Sequence, residues 1–295
     1  MAHISIPLPA RRSIQFDFLG LNGALRLLSN RRVQLALMIL VPILLLTLLR
    51  PFLPIPGPLE TNLRAMTKPP SFVHLFGTDR MGRDLLSRTL AGVQISMFVG
   101  FAVALLSLTV GLVMGTLAGF FGGLIDRVMM TVTDIFLAFP SLLLAIGLVS
   151  VMGTGMLPVV LAISLSDVPR FIRLQRSLVL SLRSRAYIDA ARTVKASQLW
   201  LMRKHIIPNT LAPLLVAASI AAANAILVEA GLSFLGLGIM PPAPSLGNLI
   251  RDGQTYLEQA WWISTLPGAV ILLIAISLHF LSDGIRQALD PRSRK

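Results

Sequence analysis

Few residues in this sequence have the types and the spacing that could support chemistry. The stretch "GTDRMGRD", residues 77–84, places Gly77 and Gly82 at the spacing of a phosphate-binding loop. Such a loop needs a lysine for the phosphates and a serine or threonine for magnesium, whereas Arg83 and Asp84 occupy those positions. The sequence therefore argues against nucleotide binding, and if ATP is used, the ATPase must be another chain.

A nucleophile and its base could be supplied by Ser233 and His279, which lie in two separate apolar segments. A hydrolase would need the two side chains to meet, but a lone serine or histidine in such a segment more often hydrogen-bonds a neighbouring helix. The chain contains no cysteine, and its four histidines are scattered rather than placed at ligand spacing. We expect no catalytic residue, no metal site and no cofactor bound by this chain.

Three acidic residues, Asp134, Asp167 and Glu229, lie in or near apolar segments. A carboxylate in hydrocarbon costs about 2.5–3.5 kcal/mol, so each must face a cavity, a neighbouring helix or a cation. We expect structural pairing for Asp134 and Asp167, which lie near helix ends. Glu229 is deeper, and the sequence leaves open whether it lines a path or bonds a neighbouring helix. If Glu229 or Asp134 carried protons, the chain could be a proton-coupled secondary transporter.

The elements that position these residues are apolar runs of membrane length. The chain has 295 residues, of which 55% are hydrophobic and 13% charged, and its mean hydropathy is +0.78. A bilayer core needs roughly 20 apolar residues per helix. The sequence predicts an all-α membrane protein with six transmembrane helices at about 33–49, 93–120, 128–152, 156–174, 209–236 and 263–282.

The positive charge is distributed unequally between the two sides of the predicted membrane. The net charge is +13, and 19 of the 26 lysines and arginines fall on the side that holds both termini. The positive-inside rule therefore predicts that both termini are cytoplasmic, and the arginines are expected to meet lipid headgroups rather than nucleic acid. No cleavable signal peptide is expected, because the first apolar run lacks a small-residue cleavage site.

Proline and glycine give further expectations about the helices. Proline-rich stretches after the first span and before the sixth predict irregular outer segments, with Trp261 and Trp262 at the membrane interface. Pro140 and Pro169 are expected to kink or end their helices. Three glycines at every fourth position of the second span predict close packing against another helix: Gly111, Gly115 and Gly119.

A basic segment between the fourth and fifth spans, residues 186–208, is called the knob here. Ala186, Ala190 and Val194 recur at i, i+4 and i+8, which predicts a helix with a small apolar face. Ser197 can cap a second short helix, which Pro208 is expected to end. An amphipathic helix can lie on lipid, but alanines bury little area there. A small face suits docking into a protein groove better.

The knob resembles the EAA loop of ABC importer permeases, in which a coupling helix docks on the ATPase subunit. The likeness rests on Asp189-Ala190-Ala191, then Lys195, and on "HIIP" ending at Pro208. The stretches "HLFGTDRMGRDLLSR", "DIFLAFPSLLLA", "EAGLSFLGLGIMPPAPSLGNLI" and "SDGIRQALDP" are similar to the second permease of the dipeptide/oligopeptide/nickel branch. The resemblance implies a type I ABC importer permease fold, and covers roughly residues 30–291.

The chain departs from the family pattern at a few positions. Lys195 stands where the family has glycine, at the turn between the two short helices. A left-handed backbone at that turn would cost lysine on the order of 1 kcal/mol. Asp189 replaces the glutamate that opens the motif, while Ser282 and His279 stand where glycine and asparagine are usual.

The resemblance implies a division of the chain into functional segments. These are a cytoplasmic tail (1–32), a first span with an outer loop region (33–91), a five-helix core (92–282) with a cytoplasmic coupling loop (177–208), and a cytoplasmic tail (283–295). It implies that coupling to the ATPase falls on Tyr187, Asp189, Ala190, Ala191, Arg192 and Lys195. Glu229 and Asp134 are expected to line the translocation path or to pack helices.

The function implied by the resemblance is that of a permease subunit for di- and oligopeptides in a bacterial inner membrane. Its partners would be a homologous permease, two ATPase subunits that use ATP and magnesium, an external solute-binding protein and membrane lipid. Nickel, a metal–chelator complex or glutathione is an alternative substrate within the same family. The proton-coupled secondary transporter is the alternative from another class.

Overall fold

The computed structural model describes residues 28–289. Within that part the chain forms helices, short turns and one isolated bridge between Thr78 and Asp84, with no strand. The all-α prediction is therefore confirmed. Of the two predicted tails, residues 1–27 and 290–295 lie outside the described residues, and 283–289 continue the last helix.

Most helices follow one another with short connections, whereas residues 50–84 form a long loop between the first two. In chain order they are α1 (Arg31–Leu49), α2 (Leu85–Phe121), α3 (Gly123–Leu137), α4 (Ser141–Met152), α5 (Met156–Arg183), α6 (Ala186–Thr193), α7 (Gln198–Leu201), α8 (Ile207–Phe234), α9 (Leu246–Gln254) and α10 (Trp262–Leu289). A π-helical segment, Met202–Ile206, joins α7 to α8. Two short 3₁₀ turns, Arg50–Phe52 and Leu63–Ala65, lie in the loop between α1 and α2.

Four helical runs in the described residues are long and apolar enough to cross a membrane. They are Arg31–Phe52, Leu85–Phe121, Gln198–Phe234 and Trp262–Gln287. Helices α3 and α4 are long and apolar enough to cross a membrane only when they are taken together, and their axes meet at 91°. The predicted span at 128–152 is therefore not one straight helix. Helix α5 has 28 residues, but it carries several charged side chains.

Three prolines have different effects on their helices. Pro140 stands before α4, at the sharp bend, as predicted. Pro169 was expected to kink or end its helix; it does not end it, because α5 continues to Arg183. The prediction that Pro208 ends the second helix of the knob is wrong. Pro208 lies in the first turn of α8, and the π segment before it accommodates the missing N–H within a continuous helical run.

The glycine face of α2 packs against α5, as the spacing predicts. A Cβ atom at Gly115 would lie 2.7 Å from Gln175 Cβ, and one at Gly119 would lie 2.9 Å from Val179 Cβ. At Gly111 an added Cβ would overlap Phe171. Only glycine allows the two backbones to approach so closely.

The outer segment between α8 and α10 is more ordered than predicted. It contains α9, which begins where the Ser245 side chain accepts the Asn248 N–H at 3.2 Å. Trp261 is half exposed, whereas Trp262 is buried and its Nε1 donates to the Thr78 carbonyl at 3.2 Å. Trp262 thus fixes the loop before α2 to the start of α10.

Candidate coupling knob and intramembrane polar contacts

The first helix of the knob, α6, has an exposed side and an inner side. Ile188 is fully buried, in an apolar cluster with Phe120, Val179, Leu201, Met202 and Ile206. Tyr187, Asp189, Ala190 and Arg192 are exposed. The cluster joins the knob to the C-terminal ends of α2 and α5, so that α6 presents its other side as a small, accessible surface.

Ala191 lies on the inner side of α6, where it packs against the same cluster as Ile188. We predicted that Ala190 and Ala191 share the docking face, but consecutive helical residues point about 100° apart. Ala190 is exposed and Ala191 is half buried. Ala191 therefore supports α6 from behind rather than lying on its exposed side.

The turn after α6 has the backbone form that glycine favours. Lys195 has φ +55°, in the left-handed region, as the resemblance implies for this position. Its N–H donates to the Arg192 carbonyl at 2.9 Å, and the Ala196 N–H donates to the Ala191 carbonyl at 3.1 Å. These two hydrogen bonds form a Schellman motif, and Ala191 and Ala196 both pack on the inner cluster, which completes it.

The second half of the knob is continuous with α8. Ser197 caps α7, as predicted, by accepting the Trp200 N–H at 3.2 Å. The His205 ring lies between two aromatic rings, with centroids 4.9 Å from Trp200 and 5.8 Å from Tyr187. The two halves of the knob are therefore linked by side-chain packing, and the second half continues into α8 by helical backbone.

A buried glutamine connects the three helices above the knob. Gln175, on α5, donates through Nε2 to Thr116 Oγ1 on α2 at 2.8 Å and to Thr210 Oγ1 on α8 at 3.0 Å. All three side chains are buried. This contact ties the inner halves of α2, α5 and α8 together.

Three arginines of α5 pair with acidic residues in or near the predicted spans. Arg176 forms a two-pronged ion pair with Asp126, and Arg173 pairs with Asp134, both on α3. Arg170 Nη1 lies 3.4 Å from Asp167 Oδ1 on its own helix. The expected pairing of Asp134 and Asp167 is therefore present. Sequence reasoning did not single out the arginines, although their i, i+3, i+6 spacing was a signal that they share one side of a helix.

Glu229 bonds a neighbouring helix. It is fully buried on α8, and its two carboxylate oxygens accept hydrogen bonds from Ser96 Oγ on α2 and Ser233 Oγ on α8, each at 2.8 Å. Of the two alternatives that the sequence left open, the geometry favours helix packing.

Ser233 is also used structurally. Besides donating to Glu229, its Oγ accepts the Ile239 N–H at 3.2 Å. His279 is exposed and lies four residues before Asp283, which pairs with Arg32 at the start of α1, whereas Ser233 lies against Gly247 of α9. The two residues therefore lie toward opposite ends of the bundle, and the geometry does not support a hydrolase.

The "GTDRMGRD" stretch forms a compact loop held by its acids. Asp79 accepts the Met81 and Arg83 N–H groups at 2.8 and 3.0 Å and the Arg83 Nε at 2.6 Å. Asp84 caps α2 through the Ser87 N–H and contacts His74 Nδ1, at 2.8 and 2.9 Å. Both carboxylates are buried, so this loop has a structural role.

A metal site is not evident: among the described residues, no group of three or more histidine, cysteine or acidic side chains could hold a metal ion. The polar contacts inside the bundle are ion pairs and hydrogen bonds between helices.

A bundle of apolar helices with a basic helical knob defines a multi-pass inner-membrane transport subunit. The model of the family described as "binding-protein-dependent transport system inner membrane component" matches residues 111–295. This chain belongs to that family. It is the permease component of ABC transporters and not an enzyme.

Several relatives match over most of their length. A Brucella abortus protein, named as a peptide transport system permease protein, is 41% identical over 91% of this chain and 90% of its own. The dipeptide transport system permease DppC of Haemophilus influenzae is 36% identical over 90% of this chain and 92% of its own. The oligopeptide transport system permease OppC of Bacillus subtilis is 38% identical over 93% of this chain and 90% of its own.

The fold is also similar to that of a solved transporter. A chain of the inward-facing MetNI methionine ABC transporter matches with a TM-score of 0.54 and 20% identity, over 68% of this chain and 94% of its own. At this identity the similarity shows the fold alone.

Proposed function

We propose that this chain is one permease subunit of an ATP-driven importer of di- and oligopeptides. The observation that carries the proposal is the knob. Its exposed side is available to a partner, while its inner side is packed against α2 and α5 and its chain continues without a break into α8. Movement of the knob therefore reaches the spans directly.

The complex would contain a homologous permease, two ATPase subunits that bind ATP and magnesium, and an external solute-binding protein. The knob docks on an ATPase through Tyr187, Asp189, Ala190, Arg192 and the Lys195 turn. Ala191 supports this surface from behind. This chain supplies half of the path and catalyses no covalent reaction.

The six-span topology with cytoplasmic termini belongs to this proposal. The four apolar runs, the bent pair α3–α4 and α5 would supply the six crossings. Helix α5 is about 42 Å long at 1.5 Å per residue, and its charges face α3 or a neighbouring cavity, so it can cross despite them. The division into two tails, a first span with its outer loop and a five-helix core follows the same topology.

Peptide is the substrate class that the relatives favour. The Haemophilus influenzae and Bacillus subtilis relatives are named for dipeptide and oligopeptide transport. Nickel, a metal–chelator complex and glutathione are the alternatives within the family. The described residues contain no cluster suited to a bare metal ion.

The experiment is uptake of a labelled dipeptide by proteoliposomes that contain the complete complex. We expect uptake to need both ATP and the binding protein, and to proceed without a proton gradient. Proteoliposomes that contain only this chain serve as the control. Gradient-driven uptake by this chain alone would support a secondary transporter and contradict the proposal.

A further inference from the structure

A cavity of about 180 Å³ lies between α5 and α8. Asp167, Arg170 and Asn224 line it, together with apolar side chains that include Phe171 and Ile220. A smaller cavity beside it shares Asp167, Arg170 and Asn224, so the two form one crevice. Ligand pockets commonly measure roughly 300–1,000 Å³, so this crevice is smaller than a complete pocket, and a peptide in it would also contact a second subunit.

The crevice lies near the middle of the bundle. Asp167 is the twelfth residue of α5, which places it about 16 Å along a helix of about 42 Å. Charged residues at that depth are costly unless they have a function or a close partner. The contacts between Asp167 and Arg170 therefore indicate whether the two charges are closely paired or are available for a function.

The pairing of Asp167 with Arg170 is loose. Their closest atoms are 3.4 Å apart, whereas charge-assisted hydrogen bonds measure about 2.7–2.9 Å. Asp167 Oδ2 is buried and accepts no hydrogen bond from the described residues, while the Arg170 side chain is 54% exposed. By contrast, both oxygens of Asp126 are bound by Arg176, with Nη2 at 2.6 Å from Oδ2. The other hydrogen bond of Arg170 among the described residues is equally long, with Nη2 3.4 Å from Ser141 Oγ. The crevice therefore holds a carboxylate that can accept, and a guanidinium that can donate, further hydrogen bonds.

The ligand that fits this arrangement carries both charges. A buried carboxylate oxygen without a donor is unfavourable, and an ammonium group would supply the donor. The guanidinium of Arg170 can bind a carboxylate through two parallel hydrogen bonds. Asn224 offers an amide for a peptide bond, and the apolar wall accepts side chains. A bare metal ion is a poor fit, because the three polar residues offer it a single carboxylate.

We propose that Asp167 and Arg170 form a recognition site for the two charged ends of a zwitterionic peptide on the translocation path. The inference rests on the proposed function, since it assigns the substrate contacts of that path. Asp167 binds the amino terminus, Arg170 binds the carboxylate, and the pair separates as the peptide enters between them.

The first test is ATP-driven uptake of dialanine by the complete complex in proteoliposomes. We expect Asp167→Asn and Arg170→Gln each to lower uptake at subsaturating peptide by about tenfold, because each removes one charged hydrogen-bonding partner. Arg127→Gln, which removes a positive charge at an exposed position outside the crevice, is the control and should retain wild-type uptake. A chain with the two charges exchanged, Asp167→Arg with Arg170→Asp, should stay defective. If the exchange restores uptake, the pair is structural and the inference is wrong.

A second test does not depend on the charge variants folding. The chain has no cysteine, so Asn224→Cys introduces a single site that a maleimide can label. In the purified permease pair without binding protein, millimolar dialanine should slow labelling several-fold, and N-acetyl-dialanine amide, which lacks both charges, should not. Equal protection by both compounds, or by neither, would overturn the inference. Absence of ATP-driven peptide uptake by the wild-type complex would instead refute the proposed function.

Discussion

Lys195 holds the turn of the knob in a backbone conformation that few side chains adopt. Its φ of +55° is stabilised by the two hydrogen bonds of the Schellman motif and by packing of Ala191 and Ala196 on the inner cluster. The strain is local, because the lysine side chain is exposed. Its charge is therefore available to a partner, at a cost in stability that glycine would avoid.

We predict that Lys195→Gly stabilises the purified chain by on the order of 1 kcal/mol, because glycine adopts positive φ without steric cost. Thermal unfolding in detergent would show the change as a higher midpoint. Thr193→Gly, in the last turn of α6, is the control and should lower the midpoint, since glycine is unfavourable in a helix. A midpoint lowered equally by both substitutions would show that the left-handed turn carries no strain.

The second residue-scale prediction concerns Glu229. Replacement by Gln keeps the size of the side chain and one oxygen acceptor for the two serine hydroxyls, so we expect most of the ATP-driven uptake to remain. Replacement by Ala removes the acceptor of both Ser96 and Ser233 and leaves a buried void, which should cost about 1–3 kcal/mol of stability.

Uptake and thermal unfolding, measured for both variants with and without a proton gradient, decide the role of Glu229. Ser96→Ala is the control, because it removes one partner without changing the charge. Uptake that follows the gradient, needs no ATP and disappears in Glu229→Gln would show that this residue carries a proton.

At the scale of single residues, the sequence predicted the structure best where a residue type occurs in only a few backbone settings. A left-handed turn at Lys195 followed from the family pattern, and Ser197 at a helix start followed from its capping chemistry. The sequence could not show which of Ala190 and Ala191 faces a partner and which faces the bundle, because both residues are alanines. The difference comes from packing against Phe120 and Val179, which lie far away in the sequence.

At the scale of elements, α6 has one side for a partner and one for its own bundle. We predict that Ala190→Arg weakens co-purification of the ATPase and leaves the thermal stability of the chain unchanged, because this residue is exposed. Ala191→Glu should lower the thermal stability, because it places a charge in the inner cluster.

Pull-down in mild detergent and thermal unfolding of the same samples separate the two effects. Ala190→Ser is the control for the exposed side, since it adds one atom and no charge. If the complex and its uptake are fully retained in Ala190→Arg, the exposed side of α6 is not the docking surface.

The observed helix boundaries show which prolines correctly predicted the end of a helix. Pro140 marks the sharp bend between α3 and α4, whereas Pro169 and Pro208 lie within continuous helical chain. Proline alone does not distinguish these outcomes, because the π segment before Pro208 supplies a change of register that composition does not reveal. Helix α9 was missed for a similar reason, as its glycines and short length resemble a loop.

At the scale of the whole molecule, the topology can be tested with single cysteines. The chain contains none, and Arg64 and Arg203 are exposed in the outer loop and in the π segment of the knob. We predict that a membrane-impermeant maleimide labels Arg64→Cys in intact cells and labels Arg203→Cys only after permeabilisation. The unsubstituted chain is the blank. Labelling of both sites in intact cells would contradict the six-span arrangement with cytoplasmic termini.

The run from Gln198 to Phe234 is helical throughout its 37 residues, which makes it about 55 Å long. It behaves mechanically as a lever. One end is the knob, the other carries Glu229 and Ser233, and the buried contact between Thr210 and Gln175 lies close to the knob, where it can act as a fulcrum. A fulcrum near one end magnifies motion at the other. Thr210 is 12 residues from Gln198 and 24 from Phe234, so a displacement of about 1 Å at the knob becomes a swing of about 2 Å at the other end.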